Sequence, residues 1–86
     1  MARVSDDEIR ELAGELGRKL HTRGWMLATA ESCTGGWVGE ALTAIAGSSA
    51  WYERGFITYS NAAKIELLDV PPDTLAAHGA VSEETA

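Results

Sequence analysis

A mostly apolar run of six residues, Trp25-Met-Leu-Ala-Thr-Ala30, passes directly into Glu31-Ser-Cys-Thr-Gly-Gly36 and then into a helical pattern. No other stretch narrows the fold as far. A short apolar run bounded by turn residues suits a strand buried on both faces. Paired glycines ahead of the next apolar pattern make the reversal a strand-to-helix turn.

The same alternation extends to either side. Ser5-Asp-Asp-Glu8 is a capping-box pattern, and Ile9, Leu12, Ala13, Leu16 and Leu20 recur behind it at helical spacing. The spacing predicts a helix over about Asp6 to Thr22, stopped by Gly24, with Arg10, Glu11, Glu15, Arg18 and Lys19 as its solvated face. Trp37, Val38, Ala41, Leu42 and Ile45 predict a second helix that closes near Gly47. Phe56-Ile-Thr-Tyr59 predicts a second strand. Asn61 to Leu68 predicts a short helix with Asn61 as its N-cap, ended by Pro71-Pro72. A further helix is expected over Pro72 to His78. Val81 to Ala86 reads as one turn of another, with Ser82 as N-cap.

Helix, strand, helix, strand, helix is an α/β pattern. Two strands make too small a sheet to stand alone. Further strands are therefore expected from a second chain or from more covalent chain. The 86 residues read as a single partial domain, cut in mid-element at Ala86.

Charge and cysteine content exclude several classes. Seven Lys and Arg face thirteen Asp and Glu, a formal net charge of −6. That balance repels a phosphate backbone and argues against a nucleic-acid partner. A small phosphorylated ligand remains possible, since it needs only a few local donors. One cysteine permits neither an internal disulfide nor a thiolate zinc site, and no metal is expected. No basic, apolar leader opens the sequence, and no apolar run approaches the roughly 20 residues that span a bilayer. A cytoplasmic protein without a membrane partner is expected.

Three clusters carry reactive groups. In the first, Thr34-Gly35-Gly36 would present amide N–H groups at a helix start, suited to a phosphate or an oxyanion, or would form a plain turn capped by Thr34. Ser32 would sit at the C-terminal end of the strand, where open α/β sheets place ligand sites. Its hydroxyl needs a base to become a nucleophile, and a turn-capping serine is the alternative. Cys33 is the competing nucleophile, but neither His21 nor His78 has the context of a partner, and Cys33 is expected to be a buried small residue.

The second cluster is Tyr59-Ser-Asn-Ala-Ala-Lys64. A lysine can serve a serine nucleophile as general base, or lie exposed on its helix beside an acid. The third is Gly47-Ser-Ser-Ala-Trp-Tyr-Glu-Arg-Gly55, whose Trp51 and Tyr52 would either stack on a flat heterocycle or close the core.

Taken in order, Ala30-Glu-Ser-Cys-Thr-Gly-Gly36, then Ala46-Gly-Ser-Ser-Ala-Trp-Tyr-Glu-Arg-Gly-Phe-Ile-Thr-Tyr-Ser-Asn-Ala-Ala-Lys64, then His78-Gly-Ala-Val-Ser-Glu-Glu84 resemble the nicotinamide-nucleotide amidohydrolase family, which includes the C-terminal domain of the competence-damage-inducible protein CinA. The resemblance runs from about Ser5 to Ala86. It implies a three-layer α/β/α sandwich, of which this chain holds an incomplete half, and a tendency to self-associate. It implies hydrolysis of the carboxamide of nicotinamide mononucleotide to nicotinic acid mononucleotide and ammonia, with no cofactor.

By the same resemblance Ser32 is the nucleophile, with Tyr59 and Lys64 as its activating partners. Glu31, Thr34, Gly35, Gly36, Ser48 and Asn61 are the expected substrate-binding residues. One departure stands out. The second half of the family's domains carries a Gly-rich segment of the Thr-Gly-Ile-Ala-Gly-Pro type that helps form the nucleotide site, and nothing here matches it. A non-catalytic module for nucleotide binding or subunit assembly is therefore the alternative.

Overall fold

The computed structural model describes residues 4–86. Helix α1 spans Asp6–Arg23, strand β1 Leu27–Glu31, helix α2 Trp37–Thr43, strand β2 Tyr52–Ile57, helix α3 Asn61–Leu68 and helix α4 Pro72–His78. A single 3₁₀ turn, Ser48–Ala50, precedes β2. The α/β class is as expected: β1 and β2 form a two-stranded parallel sheet, with α2 in the crossover between them.

Local chemistry sets the boundaries. The Ser5 hydroxyl accepts the Glu8 N–H at 3.1 Å and opens α1. Gly24, at φ 67°, closes it, and the N–H groups of Gly24 and Trp25 satisfy the carbonyls of His21 and Leu20. Helix α2 ends at Thr43 rather than near Gly47, because Gly47 turns left-handed and starts the 3₁₀ turn instead. Helix α3 is capped by Ser60, not Asn61: the Ser60 hydroxyl accepts the Ala63 N–H at 3.0 Å, and Asn61 is already helical. It ends at Asp69, with φ 56°, before the prolines are reached. The final turn is present, with the Ser82 hydroxyl accepting from Thr85 N–H at 3.2 Å.

Both strands differ from the sequence reading. Strand β1 starts two residues later and includes Glu31, and it alternates between exposed and covered residues rather than being buried on both faces. Strand β2 begins at Tyr52, four residues earlier than expected, and ends before Thr58. Its pairing carries one irregularity. Leu27 faces Tyr52 but Ala28 faces Arg54, so Glu53 is an extra residue on β2.

The packed interior is small. Ala13, Leu42 and Trp51 form its centre, with Leu20, Leu27, Val38, Ile45 and Tyr52 against it. Helix α1 enters through small residues: a Cβ on Gly17 would lie 2.5 Å from the Trp51 ring. Leu12 on the same helix is 62% exposed, so the apolar stripe read in the sequence is only partly covered. The Cα radius of gyration is 15.0 Å, against about 12 Å for a compact chain of this length. The described residues form a slab of 39 × 35 × 17 Å, with Leu12, Trp25, Trp37 and Ile57 among its exposed apolar side chains. Among the described residues no helix is long and apolar enough to cross a membrane.

Candidate active site

Parallel pairing places the C-terminal ends of β1 and β2 side by side, with Glu31 opposite Ile57. The next residue on each chain begins the site. Thr58 N–H donates to the Glu31 carbonyl at 2.8 Å, extending the ladder by one bond past β2. Thr58 is 3% exposed. Ser60 then starts α3, and the first turn of that helix brings Lys64 back over the strand ends.

Lys64 is buried, which removes the alternative of an exposed helix lysine paired with an acid. Its Nζ donates to the Thr58 carbonyl at 2.8 Å, to the Tyr59 carbonyl at 2.9 Å and to Ser32 Oγ at 3.1 Å. The two carbonyls fix two of the tetrahedral directions of the nitrogen. A third is aimed at Ser32. In the ammonium form that position carries a proton, and in the neutral amine it carries the lone pair.

Tyr59 meets Lys64 through its backbone carbonyl. Its side chain is 73% exposed and its phenol makes no hydrogen bond among the described residues, so the expected phenolic activation of Ser32 has no counterpart in this geometry.

The turn after β1 is organised by Glu31, whose side chain is nearly covered. Thr34 Oγ1 donates to Oε1 at 2.7 Å, Val38 N–H to Oε1 at 2.9 Å and Gly39 N–H to Oε2 at 2.9 Å. The Thr34 hydroxyl is the main cause holding this carboxyl below its ordinary range; burial acts the other way, and the amides of Gly39, Val38 and Gly36 add to the lowering. The start of α2 is thus filled by the protein's own carboxylate.

Two of the expected substrate-binding residues are therefore already bonded within the protein: Glu31 and Thr34 to each other, and Glu31 to α2. Gly35 N–H is also engaged, by the Ser32 carbonyl at 3.0 Å. The amides of Cys33 and Thr34 have no acceptor among the described residues. Gly36, at φ 103°, is the N-cap of α2 and supplies backbone conformation there.

A cavity of about 230 Å³ opens beside this cluster, lined in part by Glu31, Ser32, Thr58, Lys64, Val70 and Thr85. A depression of about 370 Å³ beside Gly17 and Trp51 is larger, but it contains no nucleophile set against a base. Cys33 does not line the Ser32 cavity and is exposed, which corrects its reading as a buried packing residue. His78 lies 3.6 Å from Glu84 and does not line it either.

Ser48 precedes β2, at the opposite end of the sheet from Ser32, so it does not share this site. Asn61 is exposed on the first turn of α3. Trp51 and Tyr52 take the core role: Trp51 is 4% exposed, and Tyr52 Oη lies 2.6 Å from Thr29 Oγ1. Thr58 and Ser60 were missed in the sequence. The signal for Ser60 was a hydroxyl directly after a β-rich run and ahead of a helical one.

The CinA C-terminal domain model matches residues 9–86. The chain belongs to the CinA C-terminal domain family. It is 56% identical over 80 residues to the nicotinamide-nucleotide amidohydrolase PncC of Escherichia coli K12, covering 93% of this chain and 48% of that protein. It is 58% identical over 83 residues to a CinA-like protein of Chloroherpeton thalassium, covering 96% of this chain and 19% of that one. The chain spans about half the length of the PncC relatives it matches.

Solved structures of the family agree in fold. The competence/damage inducible protein CihA of Agrobacterium tumefaciens superposes with a TM-score of 0.90 at 49% identity, covering 100% of this chain and 51% of that chain. A CinA superfamily protein of Escherichia coli gives 0.91 at 36% identity, with 100% and 50% covered. The chain thus covers about half of each of these two solved chains.

Proposed function

We propose that this chain carries the nucleophile and base of an amidohydrolase that converts nicotinamide mononucleotide to nicotinic acid mononucleotide and ammonia. The observation that supports this reading is the Lys64 Nζ contact with Ser32 Oγ, aimed by two backbone carbonyls. The printed name of the PncC relative supplies the substrate.

In the reaction, neutral Lys64 takes the Ser32 proton as Oγ attacks the carboxamide carbon. The carbonyl oxygen gains the charge, and the N–H groups of Cys33 and Thr34, which have no acceptor among the described residues, are the available donors for it; one such donor is typically worth about 10²–10³ in rate. Lys64 returns the proton to the leaving nitrogen, and ammonia departs. Water, deprotonated by Lys64, then cleaves the acyl ester and restores Ser32. No step calls for a metal or organic cofactor, and a cytoplasmic setting goes with this reading.

Ammonia release from nicotinamide mononucleotide tests it. Ser32→Ala and Lys64→Ala should each lose activity, Lys64→Ala by about 10²–10⁴-fold. Cys33→Ala should keep it. Full activity in Ser32→Ala together with loss in Cys33→Ala would assign the chemistry to the thiol. Tyr59→Phe decides whether the exposed phenol has a part in turnover.

The cavity favours a second reading. At about 230 Å³ it is smaller than the roughly 300–1,000 Å³ of most small-molecule sites. A binding or assembly module, completed by a further copy or by a complementary chain, would show calorimetric binding of the mononucleotide without ammonia release.

A further inference from the structure

We propose that Glu31 is a positioning residue, a carboxylate clamp that holds the turn carrying Ser32 in register with Lys64. The proposal rests on the reading of Ser32 and Lys64 as the reacting pair. It assigns Glu31 a role that the substrate-binding expectation did not contain.

The clamp is visible in the bonding. Glu31 is 7% exposed, and each of its oxygens already accepts, one from Thr34 Oγ1 and Val38 N–H, the other from Gly39 N–H. These three donors lie on the far side of the Ser32 turn, two of them inside α2. The side chain therefore ties the end of β1 to the start of α2, with Ser32 in the span between. Its main chain ties the same point sideways, since the Glu31 carbonyl accepts Thr58 N–H.

A closed ring follows. It runs from Glu31 C=O to Thr58 N–H, from Thr58 C=O to Lys64 Nζ, from Nζ to Ser32 Oγ, and back through the peptide bond to Glu31. Besides the Gly35 N–H bond to the Ser32 carbonyl at 3.0 Å, the turn that follows Ser32 is held by the Glu31 carboxylate. Without it the turn is free to shift, and a displacement of about 1 Å between reacting groups costs as much as about 10²-fold in rate.

The test uses a probe that needs no nucleotide site. A small alkyl fluorophosphonate reacts with an activated serine. The Oγ–P bond forms, the P–F bond breaks, fluoride leaves and Lys64 takes the proton. Labelling of Ser32 is followed by intact mass in the wild-type chain and in Glu31→Gln, Glu31→Ala, Thr34→Val and Lys64→Ala.

The clamp requires a graded result. Glu31→Gln keeps one carbonyl oxygen for Thr34 and Val38 and should slow labelling by less than Glu31→Ala, which should fall toward 10²-fold. Thr34→Val keeps the charge but removes one donor, and it should also slow the reaction. Hydrogen exchange at the Val38 and Gly39 amides should quicken in the same order. If Glu31→Ala does not fold, Glu31→Gln and Thr34→Val carry the test.

Wild-type rates in the Glu31 and Thr34 variants, with labelling still dependent on Lys64, overturn the clamp and leave the reacting pair standing. Equal loss in Glu31→Gln and Glu31→Ala, with Thr34→Val unaffected, assigns the effect to charge and also overturns it. Labelling that ignores Lys64, or no labelling of the wild type, removes the reacting pair and the clamp together.

Discussion

Lys64 Nζ lies 3.1 Å from Ser32 Oγ although 32 residues separate them. The contact depends on two carbonyls, those of Thr58 and Tyr59, that turn toward Lys64 where β2 ends. Their removal from the ladder and the burial of the lysine are the same event. Lys64→Met keeps the stem and strands both acceptors. It should lower stability by about 1–3 kcal/mol for the buried Thr58 carbonyl, measured as a drop in urea midpoint. An unchanged midpoint would mean that water satisfies those oxygens.

Helix α1 meets Trp51 through Gly17. Gly17→Ala drives a methyl into the indole, whose nearest atoms are 2.5 Å from the Cβ position. A loss of about 1–3 kcal/mol is expected. Gly14, one turn earlier, has only the flexible end of Arg18 near it, at 3.5 Å. Gly14→Ala should raise stability by up to about 1 kcal/mol through helix propensity. Opposite signs in urea unfolding of the two variants would fix the orientation of α1.

Cys33 follows the candidate nucleophile directly and faces solvent. Iodoacetamide should alkylate it in the folded protein as readily as in a short peptide. Cys33→Ser should change stability by no more than about 0.5 kcal/mol. A thiol that reacts only after unfolding would show that the turn buries it.

Acidification should weaken the Glu31 clamp. Its carboxyl is held below the ordinary value of 4.5, chiefly by the Thr34 hydroxyl. A group whose folded pKa is lowered contributes stability above its unfolded pKa and loses it as pH falls through the folded one. The wild type should therefore exceed Glu31→Gln in stability at neutral pH, and the gap should close below the ordinary carboxylate range. Paired urea melts across that span measure it. A gap that does not change with pH would place the effect outside the ionisation of Glu31.

The order of elements was legible because it rests on periodicity, caps and breakers that act within a few residues. Ser5, Gly24 and Ser82 sit where those rules put them. Strand β2 was misplaced because Glu53, Arg54 and Gly55 have low strand propensity, and pairing with β1 overrides it. The cap of α3 was missed by one residue because Ser60 and Asn61 are both good caps, and only the backbone at Ser60, extended at φ −80° and ψ 159°, decides between them.

The site was legible in its parts and not in its wiring. Ser32 and Lys64 stood out through a resemblance, but their meeting depends on the parallel register. Glu31 looked like a ligand contact because an acid beside a nucleophile invites that reading. Nothing local to Glu31 shows that its partners are two amides seven and eight residues onward. Cys33 was assigned to the interior from the general habits of its residue type, and the turn points it outward.

At the unpaired Glu53, two residues of β2 answer one of β1. The two tethers of Lys64 come from the chain just beyond β2, and Ser32 comes from the chain just beyond β1. Their meeting therefore depends on the register that holds from Ala28 and Arg54 onward. Deleting Glu53 would make Tyr52 and Arg54 neighbours, even out the pairing at Leu27 and Ala28, and leave that register as it is. A one-residue slip of the register itself would carry the tethers about 3.3 Å, more than the Lys64–Ser32 contact distance of 3.1 Å. The irregularity is thus slack at one end of the sheet, and the pairing beyond it is what the chemistry at the other end depends on.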